Sequence, residues 1–300
     1  MRIAILSRGA LLYSTQRLLR AAMDAGHEAE IFDYALVNAT LGAAGAHFSY
    51  QGEAIDVPEL VIGRVSPTYT PLGIALLAQF GAAGAHVSPA PEALATVRDK
   101  WRAQVRLRAR GVPMPAAAMV SDARYAESAV RALGGYPVVV KLLESTHGAG
   151  VVLAPDRRTL VGTLDAFASL HRGVLVQEYI ADEGGADLRV IVVGGAVVAA
   201  MRRTPAPGDF RSNLHRGGSA SALRLAPDEE DVALRAAAAA GLAVAGVDLL
   251  RSRRGPLVLE VNASPGLEGI EGATGVDVAA AIVGHLAGVA ARAPQAPAPS

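Results

Sequence analysis

Two acidic residues and an amide late in the chain have the types and spacing to hold a metal ion. Apolar runs at residues 247–250 and 257–261 flank a turn rich in arginine and glycine, which predicts a β-hairpin. Because side chains alternate faces along a strand, Glu260 and Asn262 point the same way, and Asp248 can face them, depending on the register. Such oxygen ligands suit Mg²⁺ or Mn²⁺, which would carry substrate phosphates. The alternative is a hairpin whose polar side chains are only solvated.

A lysine and a glycine-bearing loop form a second candidate for chemistry. Lys141 ends a run of three valines, where a lysine either reaches into a cleft or lies along the end of a strand. The loop at residues 145–150 offers backbone N–H groups that could cover phosphates. It lacks the spacing of a P-loop, so an ordinary hairpin turn is the alternative.

The next polar positions follow at the end of a predicted strand, at residues 177–180. Exposed backbone there could meet an adenine edge. Asp187 and Arg189 share one face of the following strand, either as part of the same site or as a surface ion pair. Residues 210–218 are polar, basic and glycine-ended, which favours a mobile lid over phosphates, and Arg211 in this segment could bind them bidentately. A solvated loop is the alternative.

The overall composition limits the classes of function that the chain can have. The chain has 300 residues, 28 Lys and Arg against 28 Asp and Glu, and no cysteine. The balanced charge gives no case for direct nucleic-acid binding, and the lack of cysteine excludes disulfides and thiolate metal sites. No run approaches the apolar length of a membrane span, and the N-terminus lacks a signal-peptide pattern. These features predict a cytoplasmic protein.

The order of predicted elements indicates α/β and α+β layers. Residues 1–90 are predicted to form an open α/β domain, 91–180 a linker helix and a second α/β unit, 181–292 a C-terminal unit, and 293–300 a disordered tail. Strands are predicted at residues 3–6, 29–32, 61–65, 138–140, 151–153 and 174–177, and a hairpin over 187–201. Helices are predicted at 14–25, 92–110, 158–170, 228–241 and 276–290, and a further helix begins at residue 71. Ser14 is the predicted N-cap of the first helix.

The succession of these motifs resembles the ATP-grasp ligases and, within them, the RimK family. The resemblance runs from residue 1 to about residue 290. Its most specific stretches are residues 208–218, Gly-Asp-Phe-Arg-Ser-Asn-Leu-His-Arg-Gly-Gly, and residues 255–271, which contain Glu-Val-Asn-Ala-Ser-Pro-Gly. It implies an ATP-grasp fold, with an N-terminal pre-ATP-grasp domain and ATP between two α+β subdomains.

The resemblance also implies roles for individual residues. Lys100 and Lys141 would reach the ATP phosphates, the backbone of Glu178 and Tyr179 the adenine, and Asp187 the ribose. Asp248, Glu260 and Asn262 would hold two Mg²⁺ or Mn²⁺ ions. The loop closing on the nucleotide would contribute Arg211, Ser212 and Asn213, and the candidates for stabilising the transferring phosphoryl group are Arg189, Arg203 and Arg211.

The family's activity supplies an expected reaction. A carboxylate attacks the γ-phosphate of ATP to give an acylphosphate, and the α-amine of glutamate then displaces phosphate. Family members add glutamate to the C-terminal tail of a small-subunit ribosomal protein, can extend it into polyglutamate, and are typically homotetramers. Other acceptors, a carrier protein or a small molecule, and a non-catalytic nucleotide sensor are the alternatives. No general base is identified.

One loop departs from the familiar pattern. Ser145 and His147 stand where a glycine and a glutamine are expected in the phosphate-covering loop. Loss of a glycine narrows the accessible backbone conformations, and a histidine adds a group that titrates near neutral pH. The departure predicts weakened or pH-shifted ATP binding.

Overall fold

The computed structural model describes residues 1–42, 45–143, 150–168, 173–212, 214 and 217–292. The strands are β1 (Arg2–Ser7), β2 (Glu28–Phe32), β3 (Val37–Gly42), β4 (Gly45–Tyr50), β5 (Glu53–Ile55), β6 (Leu60–Arg64), β7 (His86–Ser88), β8 (Ala117–Val120), β9 (Val138–Leu142), β10 (Val151–Ala154), β11 (Val174–Glu178), β12 (Asp187–Val193), β13 (Ala196–Thr204), β14 (Ser219–Ala222), β15 (Val244–Ser252) and β16 (Gly255–Asn262). The α-helices are α1 (Tyr13–Asp24), α2 (Thr70–Ala82), α3 (Pro91–Arg98), α4 (Lys100–Ala109), α5 (Ala126–Ala132), α6 (Arg157–Ala168), α7 (Pro227–Ala240), α8 (Glu268–Thr274) and α9 (Val278–Ala290).

The N-terminal domain is built on a parallel sheet with the order β2-β1-β6-β7. The apolar run of β1 is buried on both faces, as expected for a central parallel strand. The predicted strand at 61–65 is present as β6, but it is not the third strand of the chain. An antiparallel sheet, β3-β4-β5, precedes it and was missed because most of its residues are exposed and only Val37 and Phe48 are buried, so its strands show no apolar run. Phe48 anchors this small sheet by stacking on Phe80 of α2.

The predicted cap of the first helix is wrong. Helix α1 begins at Tyr13, and no side chain caps its N-terminus. The Ser14 hydroxyl instead accepts a hydrogen bond of 2.9 Å from the backbone N–H of Leu267, far along the chain. Ser14 therefore joins α1 to the turn that follows the C-terminal hairpin, a long-range contact that local helix signals do not encode.

The predicted single helix over 92–110 is also wrong, because the chain breaks at Asp99. This residue has an extended backbone, and its carboxylate accepts hydrogen bonds from the N–H groups of Trp101 (2.9 Å) and Arg102 (3.0 Å). It thus caps a second helix, α4. The break places Arg98 at the end of α3 and Lys100 at the start of α4, and both residues line the same cavity.

The central subdomain is α+β, as the resemblance implies, and not the α/β unit that the order of its elements predicts. Its sheet has the order β10-β9-β11-β8, and every pairing in it is antiparallel. Helices α5 and α6 pack on this sheet around a core of their own, which includes Val140, Leu160 and Val176. The predicted phosphate loop, with Ser145 and His147, lies outside the described residues except for Gly150.

The C-terminal subdomain is an antiparallel sheet with the order β14-β13-β12-β15-β16. Both predicted hairpins are present, β12–β13 turning at Gly194 and Gly195 and β15–β16. Helices α7 and α9 cover opposite faces of this sheet. Its two cores continue into the N-terminal sheet, since one contains Leu6 with Val247 and the other Ile5 with Ile282. These two units therefore pack as one body beside the central subdomain.

The end of the described chain holds two helices rather than the one predicted. The helix expected at 276–290 begins at Val278, and α8 precedes it. Among the described residues, no single helix is long and apolar enough to cross a membrane. Helices α8 and α9 pass that test only as a pair, bent by 114°. The predicted disordered tail lies outside the described residues.

Candidate active site

A cavity of about 820 Å³ lies where the N-terminal sheet, the central subdomain and the C-terminal subdomain meet. It brings together nearly all of the candidate residues, which are distant in sequence. Those that line it are Lys100, Lys141, Glu178, Tyr179, Asp187, Arg189, Arg203, Arg211, Ser212, Asp248, Glu260 and Asn262. Asn213 lies outside the described residues. The individual roles predicted for these residues stay predictions, but their convergence on one cavity is a structural fact.

The hairpin β15–β16 has the register that unites its polar residues. Asp248 pairs directly with Glu260, and Gly246 pairs with Asn262. Directly opposed residues of an antiparallel pair project from the same face, so the two carboxylates and the amide enter the cavity together. A register irregularity follows between Asp248 and Leu249. The sequence left this register open.

Two arginines hold the carboxylate of Asp248. Arg189 donates to it through both Nε and Nη2, the latter at 2.8 Å from Oδ2, and Arg203 approaches Oδ2 with Nη2 at 3.0 Å. Burial by itself raises the pKa of Asp248, but the charges and hydrogen bonds of the two arginines outweigh it and lower the pKa below its ordinary value. Asp248 is therefore ionised at neutral pH even though only 5% of its surface is exposed.

Asp187 is the second carboxylate bound by Arg203. Nε and Nη2 of this guanidinium donate to Oδ1 and Oδ2 of Asp187 at 2.7 and 2.6 Å. Burial raises the pKa of Asp187 despite this pairing, with Asp248 adding repulsion, while a hydrogen bond with the Ser212 side chain opposes the rise. Arg203 thus links strands β12 and β15 through their two aspartates. A role for Arg189 and Arg203 at a transferring phosphoryl group stays a prediction, and here both guanidiniums hold carboxylates.

Lys141 extends into the cavity from the end of β9. Its Nζ donates to Oε1 of Gln177 on β11 at 2.6 Å. Burial and, to a smaller extent, the charge of Lys100 lower the pKa of Lys141 to about 8, against the attraction of Glu260 and Asp248. A bound anion would stabilise the charged form of this desolvated lysine, which is consistent with the predicted contact with ATP phosphates.

The donor chemistry of the hairpin fits a hard divalent cation. Two carboxylates and one amide oxygen are ligands that Mg²⁺ accepts while it keeps water or phosphate oxygens in its other positions. The Nδ2 atom of Asn262 is buried without a hydrogen-bond partner in the described structure, so no contact of this amide nitrogen competes with its oxygen for orientation. Within the described ranges no group of three or more His, Cys, Asp or Glu forms a metal site, and the hairpin offers two acids with an amide.

At the end of the cavity next to the end of β11, the candidate residues are Glu178 and Tyr179 rather than the lysines and aspartates described above. The Glu178 carboxylate accepts from the backbone N–H of Ala116 at 2.8 Å and pairs with Arg254 of the hairpin turn. Tyr179 lies edge-to-face against Phe210, with ring centroids 6.4 Å apart. Aromatic surface beside a strand end suits a flat heterocyclic base better than phosphate. This is the position predicted for the adenine.

Arg211, which belongs to the predicted lid segment, contacts both walls of the cavity. Arg211 is held by Asp209 through Nε (2.9 Å) and Nη2 (3.2 Å), and its Nη1 donates to the backbone carbonyl of Val151 at 3.3 Å. Val151 belongs to the central subdomain, whereas Arg211 follows strand β13 of the C-terminal subdomain. Arg211 thus links the central subdomain to the C-terminal subdomain beside the site.

Two arginines at the site were missed in the sequence, Arg64 at the end of β6 and Arg98 at the end of α3. Both line the cavity. Nη1 and Nη2 of Arg64 each donate to the backbone carbonyl of Pro265 at 3.2 Å, and Arg98 donates to the carbonyl of Val65. For Arg64 alone the sequence offered a partial signal, because the carboxyl end of a parallel strand is where such sheets bind ligands.

Comparisons with known proteins agree with this geometry. Residues 97–286 match the family model of the RimK-like ATP-grasp domain, and residues 1–94 match that of the RimK PreATP-grasp domain. The chain is 46% identical over 297 residues to a protein of Shewanella amazonensis named probable alpha-L-glutamate ligase 1, covering 98% of each chain. It is also 46% identical over 283 residues to the probable alpha-L-glutamate ligase of Vibrio cholerae, covering 94% of each.

Solved structures establish the same fold. The RimK domain protein ATP-grasp from Sphaerobacter thermophilus superposes with a TM-score of 0.74 at 23% identity, over 95% of this chain and 99% of that one. The ATP-grasp ligase PsnB, in a complex with a precursor variant, Mg and ADP, gives a TM-score of 0.74 at 23% identity, over 96% of this chain and 98% of that one. The predicted fold class, an ATP-grasp fold with an N-terminal pre-ATP-grasp domain, is confirmed.

Proposed function

This chain belongs to the RimK-like ATP-grasp family, and from that premise we propose that it adds glutamate to the C-terminus of a small-subunit ribosomal protein and extends it into short polyglutamate. The chain is an ATP-dependent ligase. The observation that carries the proposal is the pairing of Asp248 with Glu260 across one hairpin, with Lys141 in the same cavity. The curated relatives that match it over nearly its whole length are named for glutamate ligation.

The reaction joins a carboxylate to an amine in two steps. A carboxylate oxygen of the acceptor attacks the γ-phosphorus of ATP, the bond to ADP breaks, and an acylphosphate forms. The α-amine of glutamate then attacks the acyl carbon, phosphate leaves with the carbon–oxygen bond pair, and the amine loses a proton. The products are an amide, ADP and phosphate, so no other reactant is required.

The residues of this chain contribute position and charge. Lys141 and Lys100 hold the phosphates, and Tyr179 with the backbone of Glu178 holds the base. Mg²⁺ or Mn²⁺, two ions per subunit, would be held by Asp248, Glu260 and Asn262 and would offset the phosphate charge. Most of the rate enhancement in such transfers comes from alignment and electrostatic stabilisation.

The remaining assignments in this proposal follow the same chemistry. Asp187 contacts the ribose, while Arg211, Ser212 and Asn213 close over the nucleotide. Arg189 and Arg203 keep Asp248 ionised in the present state and lie next to the transferring group. A ribosomal acceptor places the reaction in the cytoplasm, and we expect a homotetramer, which native mass spectrometry tests directly.

Intact-mass analysis tests the acceptor. Small-subunit ribosomal proteins are incubated with the enzyme, ATP, Mg²⁺ and glutamate, beside a matched reaction with the Glu260→Gln variant. We expect a ladder of glutamyl additions on one protein, absent with the variant because its side chain lacks the negative charge.

Each of the other outcomes contradicts a different part of the proposal: the acceptor, the amine substrate or the role of the hairpin. Glutamate-dependent phosphate release without a ladder contradicts the ribosomal acceptor and directs the search to a carrier protein or a small molecule. Phosphate release that does not depend on glutamate contradicts the amine substrate. A normal ladder with Glu260→Gln contradicts the role given to the hairpin.

A further inference from the structure

The cavity contains two guanidinium groups that the nucleotide and metal assignments do not use. Arg64 ends β6 of the N-terminal sheet, and Arg98 ends α3, which the break at Asp99 separates from the next helix. Both side chains line the cavity together with Glu260 and are only partly exposed. They enter from the N-terminal domain and its linker, whereas the hairpin belongs to the C-terminal subdomain.

Neutral carbonyl groups are the hydrogen-bond partners of this arginine pair. Arg64 donates Nη1 and Nη2 to the Pro265 carbonyl at 3.2 Å, and Arg98 donates Nη2 to the Val65 carbonyl. The Nε atom of Arg98 is buried and has no partner in the described part of the chain. Among the residues that the structure describes, no carboxylate lies within 4.0 Å of the guanidinium group of Arg64 or Arg98 to form an ion pair.

This arrangement differs from that of the other arginines around the cavity. Arg189 and Arg203 lie against Asp248, and Arg211 lies against Asp209. The carbonyl contacts orient Arg64 and Arg98 but leave their positive charges without a directly paired carboxylate.

Electrostatics supports an anion in this position. Burial, with repulsion from Arg98, lowers the pKa of Arg64 to about 10. Burial also lowers the pKa of Arg98, although the charge of Glu260 opposes that shift. Holding two like charges together in a partly desolvated cavity is costly, and a bound anion would remove that cost.

We propose that Arg64 and Arg98 form a carboxylate-binding subsite for the ligase's substrates, beside Glu260 and separate from the positions that bind the nucleotide. The inference rests on the proposed function, because a ligase that handles glutamate must hold carboxylates that do not react. The planar fork of arginine matches a carboxylate bidentately, which an ammonium group does not. The ligand is a carboxylate of the incoming amino acid or one at the acceptor's C-terminal end, and the experiment distinguishes these two sources.

The test compares Arg64→Gln and Arg98→Gln with Arg108→Gln, a matched control on the exposed surface of α4. Three constants are measured for each protein: the Kd of a non-hydrolysable ATP analogue, the KM for glutamate and the KM for a glutamate-ended acceptor peptide. We expect each site variant to raise one of the two substrate KM values at least tenfold while the Kd of the analogue stays within twofold. The control should leave all three unchanged.

The pattern of the two KM values identifies the ligand. A rise for glutamate alone assigns the subsite to the incoming amino acid, and a rise for the peptide alone assigns it to the acceptor. Arg64→Lys and Arg98→Lys should recover part of the loss, because they keep the charge without the fork. Unchanged KM values in folded variants, or a loss of affinity for the analogue as large as that for the substrates, would overturn the proposal.

A substrate-side measurement covers the case in which a variant fails to fold. Replacing the contacted carboxylate by its amide, in glutamate or in the peptide, should weaken binding to the wild-type protein at least tenfold. An amide that binds as well as the carboxylate at both positions would overturn the subsite. Failure of the proposed function is distinguishable, since it appears as wild-type protein that lacks glutamate-dependent turnover. Calorimetric binding of glutamate and of the peptide to wild-type protein loaded with the analogue then still tests the subsite.

Discussion

The lowered pKa of Lys141 predicts that nucleotide affinity falls at mildly alkaline pH. Its Nζ donates a hydrogen bond to Gln177, and burial lowers its pKa to about 8 in the nucleotide-free protein. Binding of phosphates favours the charged form, so only the protonated fraction of the free protein is competent to bind. Deprotonation therefore weakens binding as the pH rises through about 8.

The magnitude follows from the protonated fraction. At pH 7 about nine-tenths of the side chains are protonated, whereas at pH 9 about one in ten is, so the Kd should rise roughly tenfold between these values. A lysine with an ordinary pKa near 10.4 would remain about 96% protonated at pH 9 and give an almost flat profile. Cations bound to Asp248 and Glu260 would offset part of the attraction that these carboxylates exert on the ammonium group of Lys141. The loss of nucleotide affinity would then begin at a lower pH, and affinity would still fall as the pH rises.

The assay is a titration with a non-hydrolysable ATP analogue between pH 7 and 9.5, with and without Mg²⁺. Lys141→Arg is the matched control, because a guanidinium stays protonated over this range and should give a flat profile. A wild-type Kd that stays constant to pH 9 would refute the reasoning, as would an equal pH dependence in the arginine variant.

Two further predictions concern parts of the fold that support the site. Glu229 is buried and paired with Arg251, and the net effect of its contacts is to lower its pKa, although burial opposes them. Glu229→Gln should therefore lower the free energy of unfolding by about 1–3 kcal/mol at pH 7. In urea melts this difference should shrink as the pH falls below the ordinary value of 4.5, where the carboxylate contribution is lost, and a pH-independent difference would contradict it. Gly185 has a positive φ of 85°, and an added Cβ would lie 2.7 Å from the Phe210 carbonyl oxygen, so Gly185→Ala should displace the lid and raise the KM for ATP. Gly195→Ala, with φ 80° and nothing within 4 Å of the added Cβ, carries the same backbone strain and should leave that KM unchanged; equal effects of the two substitutions would contradict the clash.

Sequence reasoning was most successful where local pattern and geometry coincide. Alternation along β16 correctly placed Glu260 and Asn262 on one face, and the apolar runs located both hairpins of the C-terminal sheet. The register that puts Asp248 opposite Glu260 depends on turn geometry and on a local irregularity, which composition does not reveal.

The failures have physical causes of two kinds. Some are local signals overlooked, such as Asp99, whose position before a run of helix-forming residues is typical of an N-cap. Others are tertiary, such as Ser14, which binds the backbone of Leu267 rather than its own helix. Arg64 and Arg98 belong to the second kind, because their shared cavity exists only once β6, α3 and the hairpin are packed together.

An isotope measurement tests the central claim that this cavity activates a carboxylate by phosphorylation. A glutamate-ended acceptor peptide carrying ¹⁸O in its C-terminal carboxylate is incubated with the enzyme, ATP, Mg²⁺ and glutamate, and the released phosphate is analysed by mass spectrometry. Formation of an acylphosphate predicts that, for every amide bond formed, one labelled oxygen is transferred from the peptide to phosphate. Label that appears in AMP, or amide formation with unlabelled phosphate, would contradict the account.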